Sequence, residues 1–597
     1  MMFKFFGSIQ IKLPRLQAPS PNMGKRGGIR QRLEGAASSS GQQAEEPEEI
    51  GHSIAARRSV RRRVANQGSP TEGGTDAPAD LPLLHSLKRD WSKGILSAKQ
   101  VQEYAEGASR QGAVGMDGAA RAGSHGKHAQ NMHRSLVSLF GRPKGSPEFC
   151  WYQIPTSKGP KLHPFMMPHL WFSALFAELP DKFADTMKGP DDAACSSFWT
   201  MMADTPFLKH HPHMPPQRLS RTLPVGLYGD AGSFSHQESL YVFTWNSLLG
   251  VGQTMAKRFL TTCIRKSDLT AGTFDAIFRI LGWSFNVLLT GITPSEDWQS
   301  KPLKGGGAYL AGGYSACLTQ VRGDWEFYCS IFSFPRWNGA ENMCWMCDAS
   351  AEGPLSFANF AADAPWRATR RTHEVYVAKL RATGRALPAL FEHVAGLRLE
   401  CVMVDILHTV DQGVALHIIG NVFHECLTKG AFCDGGKDAN LVALNAALVA
   451  WYKRSKETTR IKGKLTHERI KTSKDWPKLK CKAAAARHVA PFALELAREH
   501  LGRRVIAICQ LLCEFYMMID DQGMFLDPAA KVQMPLVGKR LCGLFAQESV
   551  AALREGLKNG SSLPKCTFSC ISASGKRLRS ATPGFTGCMP TKTLSAP

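Results

Sequence analysis

The chain has no long apolar run. Its best candidate, Ile277 to Thr290, is too short to cross a bilayer and is interrupted by Arg279, so the sequence predicts a soluble chain with no membrane partner. Acid is also scarce: 50 Asp and Glu stand against 73 Lys and Arg in 597 residues, a formal net charge of +23. With a pI near 9.4, that balance favours a polyanionic partner. No secretory apolar segment precedes the 17 scattered cysteines, which argues against a disulfide framework and for reduced thiols or a metal site in cytosol or nucleus. Acids are missing altogether before Glu34 and after Glu555. The first gap has the composition of an organelle transit peptide, although Pro14, Pro19 and Pro21 interrupt any amphipathic helix there.

What the chain does contain falls into blocks. Residues 1–80 are rich in Gly, Ser, Pro, Gln and charge and predict a disordered basic tail. Within it, Arg57-Arg58-Ser59-Val60-Arg61-Arg62-Arg63 reads as a nuclear-import or phosphate-attracting cluster, or as a solvated charge run. From residue 81 to 215, Leu84, Leu87, Trp91, Ile95, Val101 and Tyr104 recur at helical spacing, and Pro164 to Phe176 adds a second apolar helix whose His169 suits its first turn.

At Leu223 the pattern turns to strands. Leu223 to Asp230 is a short apolar run ending in Gly229-Asp230, and Ser239 to Leu249 is β-branched and aromatic. Phe274 to Leu289 reads as a helix, after which Ala316 to Phe334 delivers a second Gly-Asp pair, Gly323-Asp324. Taken singly, Asp230 could merely start a turn. Two such pairs, each on strand-like sequence, predict a mixed α/β sheet with clustered carboxylates.

Further along come Cys344-x-x-Cys347, spaced to grip one Zn²⁺ with His373, Cys401 or His408 completing the site, and Asp405-x-x-His408, where the histidine can hydrogen-bond the acid. Buried thiols account equally for the cysteines. A crowd of bases follows, among them Lys453, Arg454, Lys462, Lys464, Lys471, Lys474, Lys478, Lys480 and Lys482, with Trp451, Tyr452 and Trp476 interleaved. Cations of this density supply phosphate affinity and aromatics can stack on bases; the alternative is a solvated lysine-rich loop. Ala483 to Tyr516 reads as helices broken near Pro491 and Gly502.

In this order, Gly229-Asp230, Gly323-Asp324, Cys344-x-x-Cys347 and Asp405-x-x-His408 resemble a cut-and-paste DDE/D transposase, nearest the CACTA (En/Spm-type) branch, over about residues 220–560. The resemblance implies an RNase H-like core in two parts, 216–340 and 397–430, with a cysteine insertion at 341–396, a basic insertion at 431–482 and a helical part at 483–560. It further implies that Asp230, Asp324 and a late Glu hold Mg²⁺ or Mn²⁺ for phosphodiester cleavage and strand transfer. No late acid is convincing; Glu514 and Glu548 are the in-frame candidates. The aperiodic tail from 561 to 597 permits, within codon degeneracy and two nucleotides on, an aromatic and acidic peptide, so a frameshift accounts for the missing acid. The expectation is a nuclear, transposon-derived DNA-binding protein, able to form a homo-oligomer but impaired in cleavage. Its rivals are an active metal-dependent transposase and a zinc-stabilised interaction protein that does not bind DNA.

Overall fold

The computed structural model describes residues 82–92, 96–123, five positions between 132 and 139, and 146–554 apart from gaps at 215, 234, 236, 255, 337–342, 362 and 472–475. The 1–80 tail with its Arg57 to Arg63 cluster, Lys474 and the 561–597 tail lie outside the described residues. Two compact units divide the chain, 1–143 and 144–597.

In the first unit, α1 (Pro82–Ser92) and α2 (Ala98–Arg110) follow the expected periodicity. Leu87, Val101 and Ala105 are buried together with Leu84 and Trp91 packed against them, while Tyr104 faces out. Ser97 begins α2 with a capping box: its hydroxyl accepts the Gln100 N–H and the Gln100 side chain accepts the Ser97 N–H.

The second unit is a mixed α/β fold built on a small sheet. A hairpin of β1 (Cys150–Ile154) and β2 (Lys161–Phe165) leads to α3 (Pro168–Glu178), started by a proline at its first position, and α4 (Ala194–Met202) follows. The main sheet comprises β3 (Thr222–Ser233), β4 (Ser239–Ser247), β5 (Phe259–Arg265) and β6 (Ser315–Gly323) in the order β5-β4-β3-β6. The first three are antiparallel and β6 lies parallel to β3. That parallel return needs a crossover, and α5 (Thr273–Thr290) supplies it, burying Ile277, Phe278, Ile280, Leu281, Phe285 and Leu288. Next come α6 (Trp325–Phe332) and α7 (His373–Ala382).

A second apolar core is all helical: a π-helical turn Leu407–Ala415, α8 (Leu416–Lys429), α9 (Gly436–Arg454), α10 (Ala483–His500), α11 (Arg503–Asp520) and α12 (Pro528–Arg554). Contrary to expectation, Pro491 does not break α10, and the interruption comes only at Leu501 and Gly502. Proline in a helix interior costs roughly 3 kcal/mol, which burial of Val489, Phe492 and Leu496 around it offsets. No helix among the described residues is long and apolar enough to cross a membrane.

Candidate carboxylate site and basic surface

Because β3 and β6 are parallel and their register closes at Gly229↔Gly323, Asp324 leaves β6 beside Asp230, where β3 runs on, paired with β4 through Asp230↔Val242. Both glycines are required there. The Phe327 ring of α6 lies against both strands where their parallel pairing ends, and a Cβ at Gly229 or Gly323 would run into it. Asp324 in turn caps α6, its Oδ1 accepting the Phe327 N–H at 2.6 Å. Asp230 accepts the Tyr228 hydroxyl at 3.0 Å.

A third carboxylate arrives from the far side of β6. Val402 makes a parallel bridge to Val321, and the Met403 N–H donates to the Val321 carbonyl at 2.9 Å. Residues 397–404, which alternate at first and then turn apolar as a strand entering the core would, do not form one. A single turn at Leu399–Cys401 takes its place, because Arg398 pairs with Glu374 at 2.6 Å and Glu400 at 3.3 Å while the Leu399 N–H donates to His373 Nδ1 at 3.1 Å. Asp405 follows, accepting the Leu407 N–H at 2.9 Å and hydrogen-bonding His408 Nδ1.

These groups feel one another. Burial raises the Asp230 pKa and the Asp324 charge adds to it, while the Tyr228 hydrogen bond and His408 oppose. His408 is raised, first by its hydrogen bond to Asp405 and then, against its burial, by the charges of Asp405, Asp324 and Asp230. The ring's positive form is favoured by all three carboxylates, with Asp405 in direct contact. Glu514 is exposed and lines a groove between α11 and α12, and Glu548 pairs with Arg504 at 3.0 Å. Neither figures among the charges that act most on Asp230 or His408.

The cysteine loop is held without a metal's geometry. Cys344 and Cys347 are buried, and their mutual hydrogen bond, with burial, pushes the Cys347 thiol far up. Arg371 Nη1 donates to the carbonyls of Cys344 and Trp345 at 3.1 and 3.2 Å, and the same guanidinium pairs with Asp348. His373 is taken by the Leu399 N–H, and Cys401 lies where its charge would act on Cys317.

The chain matches no protein-family model and no curated protein. Among the described residues, no group of three or more His, Cys, Asp or Glu side chains is arranged to hold a metal ion. That corrects the resemblance to a DDE/D transposase of the CACTA branch, whose chemistry depends on such a group. It equally corrects the expectations of Mg²⁺ or Mn²⁺ at Asp230 and Asp324 and of Zn²⁺ at Cys344, Cys347, His373 and Cys401. The physical reason is the same at both places: the candidate ligands are spent on protein partners, a tyrosine hydroxyl and a helix cap at one, a thiol partner and a backbone N–H at the other.

The basic segment is ordered by one arginine. Arg469 Nη1 donates to the carbonyls of Lys462 and Lys464 at 2.8 and 2.9 Å, and its Nε and Nη2 reach the Lys480 carbonyl, each at 3.2 Å. With their carbonyls turned to that hub, Lys462, Lys464 and Lys480 keep exposed side chains, as do Lys453, Lys478 and Lys482. Leu479 anchors the segment, its N–H donating to the Leu416 carbonyl at 2.9 Å where Gly420 lets the backbones approach. Lys471 and Trp476 are half-buried, and Arg454 pairs with Glu495. Trp451 and Tyr452 do not face solvent as base-stacking aromatics would: both are buried in the helical core, and Trp451 Nε1 donates to Glu495 at 3.0 Å.

Sequence reasoning missed Arg371, Tyr228 and Arg322. Strand alternation carried a signal for Tyr228, since Gly226-Leu-Tyr228-Gly-Asp230 sets it on the face of Asp230.

Proposed function

We propose that this protein binds DNA without cutting it, through the exposed cations of residues 453–482, and that its sheet follows an RNase H-like arrangement. The fold reading draws support from the order β5-β4-β3-β6 with a helical crossover into a parallel fourth strand. One fold hosts many functions, so the binding reading rests on its own observation: Arg469 gathers three lysine carbonyls and leaves Lys462, Lys464 and Lys480 as outward cations on a fixed frame. Phosphates reward such an array through counterion release. The reading without cleavage draws support from Asp230 held by the Tyr228 hydroxyl, Asp324 by a helix cap and Asp405 by His408. DNA as partner, with the Arg57 to Arg63 cluster, accords with action in the nucleus.

Fluorescence anisotropy of a labelled mixed-sequence duplex across a salt series tests this. Binding should weaken linearly in log–log form, and Lys462→Gln with Lys464→Gln and Lys480→Gln should reduce the slope by about 2–3, near 0.9 per lost phosphate contact. No binding by the full chain at low salt, or binding indifferent to these three lysines, overturns the proposal.

A further inference from the structure

The face of the main sheet that carries Asp230 is polar and buried. Register places Asn246 and Gln320 beside Gly226, and Thr244 and Arg322 beside Tyr228, so all of these share a face with Asp230. Thr244, Asn246, Gln320 and Arg322 are each less than a tenth exposed. Gly226 is there for Arg322: a Cβ would stand 2.6 Å from the guanidinium Nη2, which donates to Asn246 Oδ1.

Two more cations cover this face just before β5. The Arg258 guanidinium lies 4.2 Å from the centroid of the Tyr228 ring, the same tyrosine whose hydroxyl holds Asp230. Lys257, half-buried, donates from Nζ to the Gly250 carbonyl at 2.6 Å. Burial, and after it the charges of Arg322 and Arg258, holds the Lys257 pKa below the usual lysine range. Thr244 Oγ1, on the strand position beside Tyr228, is buried without a hydrogen-bond partner among the described residues. An anion seated beside Lys257, Arg258 and Arg322 would be attracted by each of their charges. Arginine's fork and lysine's point charge are the pair that recognises phosphoryl oxygens.

We propose that Lys257 and Arg258, backed by the buried Arg322, form a second phosphate site distinct from residues 453–482, which takes a phosphodiester of the bound strand beside the Asp230 end of the sheet. The proposal rests on the DNA-binding reading. Tyr228 couples its two sides: a phosphate over Arg258 is attracted, while the next along the strand meets Asp230 and is turned away. The site therefore sets the strand's path as well as adding affinity.

The test is duplex anisotropy with the full chain bearing Lys257→Gln and Arg258→Gln, which retain stem volume; thermal unfolding shows whether it is folded. The salt slope should fall by about 2, near 0.9 per contact, and Lys257→Arg with Arg258→Lys should restore it. If the wild type binds and the Lys462, Lys464 and Lys480 variant is weakened, but the Lys257/Arg258 variant keeps the wild-type slope, this inference fails and the DNA-binding reading stands. If the wild type does not bind, both fail. If the charge-retaining variant loses as much as the neutral one, packing and not charge is at work, and the proposal is overturned. Inorganic phosphate at matched ionic strength should displace the duplex no better than chloride; saturable displacement by phosphate that the neutral variant loses would instead assign the site to free phosphate and overturn the strand.

Discussion

Glycine 229 and glycine 323 are read first as neighbours of acidic residues, yet their own function is steric. Neither has a positive φ, so what they provide is room for the Phe327 ring and, at Gly323, for the Gly229 carbonyl. This ties the carboxylate site to the core: the ring that needs the glycines belongs to the residue whose N–H Asp324 caps. Gly229→Ala, whose added Cβ would meet the Phe327 ring first, is expected to lower stability by about 1–3 kcal/mol through overpacking, measured from the urea midpoint. In a Phe327→Leu background the same substitution should cost distinctly less; an equal cost would show that the clash is not with that ring. The Gly-Asp pairs were legible because a strand ending in Gly-Asp is a local pattern. Arg322 was not, because its partner glycine lies 96 positions earlier and meets it only through sheet register.

At the scale of elements, the loop around Cys344 and Cys347 shows how one spacing serves two physical solutions. Cys-x-x-Cys suits a metal, but here a buried arginine closes the loop by holding two carbonyls and an aspartate. Sequence could not rank these, since Arg371 stands 24 positions beyond Cys347 and carries no periodic signal. A chelator should therefore leave the thermal midpoint unchanged, while Arg371→Met should cost about 2–3 kcal/mol by stranding the buried carbonyls of Cys344 and Trp345, with Asp348 still paired by Lys379. A midpoint that drops with chelator would refute the arrangement. β3, β4, β6 and the helix at 273–290 were legible from sequence pattern; the β1–β2 hairpin and β5 were not read, and 397–404 lost its strand to side-chain partners for Arg398 and His373 that sequence does not display. Trp451 and Tyr452 likewise looked like part of the basic surface until helical phase on α9 turned them inward.

Across the second unit, the sheet core and the helical core meet at the π-helical turn Leu407–Ala415, which begins just after the Asp405 site and sends Val410 and Val414 into the helical core. Its Asp411 is 1% exposed. Tyr516 of α11 donates to Asp411 Oδ1 at 2.8 Å, and Arg487 of α10, paired with Asp520, lies 5.0 Å from the Tyr516 ring. Oδ2 has no partner among the described residues. Burial raises this carboxyl to about 7, opposed by the Tyr516 hydrogen bond and Arg487 and assisted by Asp405 and Asp520. An unfolded aspartate gives up its proton near 3.9, so between there and about 7 the folded chain binds the extra proton. The sign follows: stability from this group is complete below the unfolded value and is lost as pH rises to about 7, by on the order of 4 kcal/mol at most. Buried histidines lean the other way, with His417 and His424 held down to about 4 by burial, so total stability alone will not isolate Asp411. The difference between wild type and Asp411→Asn will, because asparagine keeps an acceptor for Tyr516 and cannot titrate. From urea unfolding at a series of pH values, the variant's stability relative to wild type should rise steadily from pH 4 to pH 7 and then level off. A flat difference across that window would mean that the carboxyl at this joint is ionised in the folded chain and that the two cores meet around a charge.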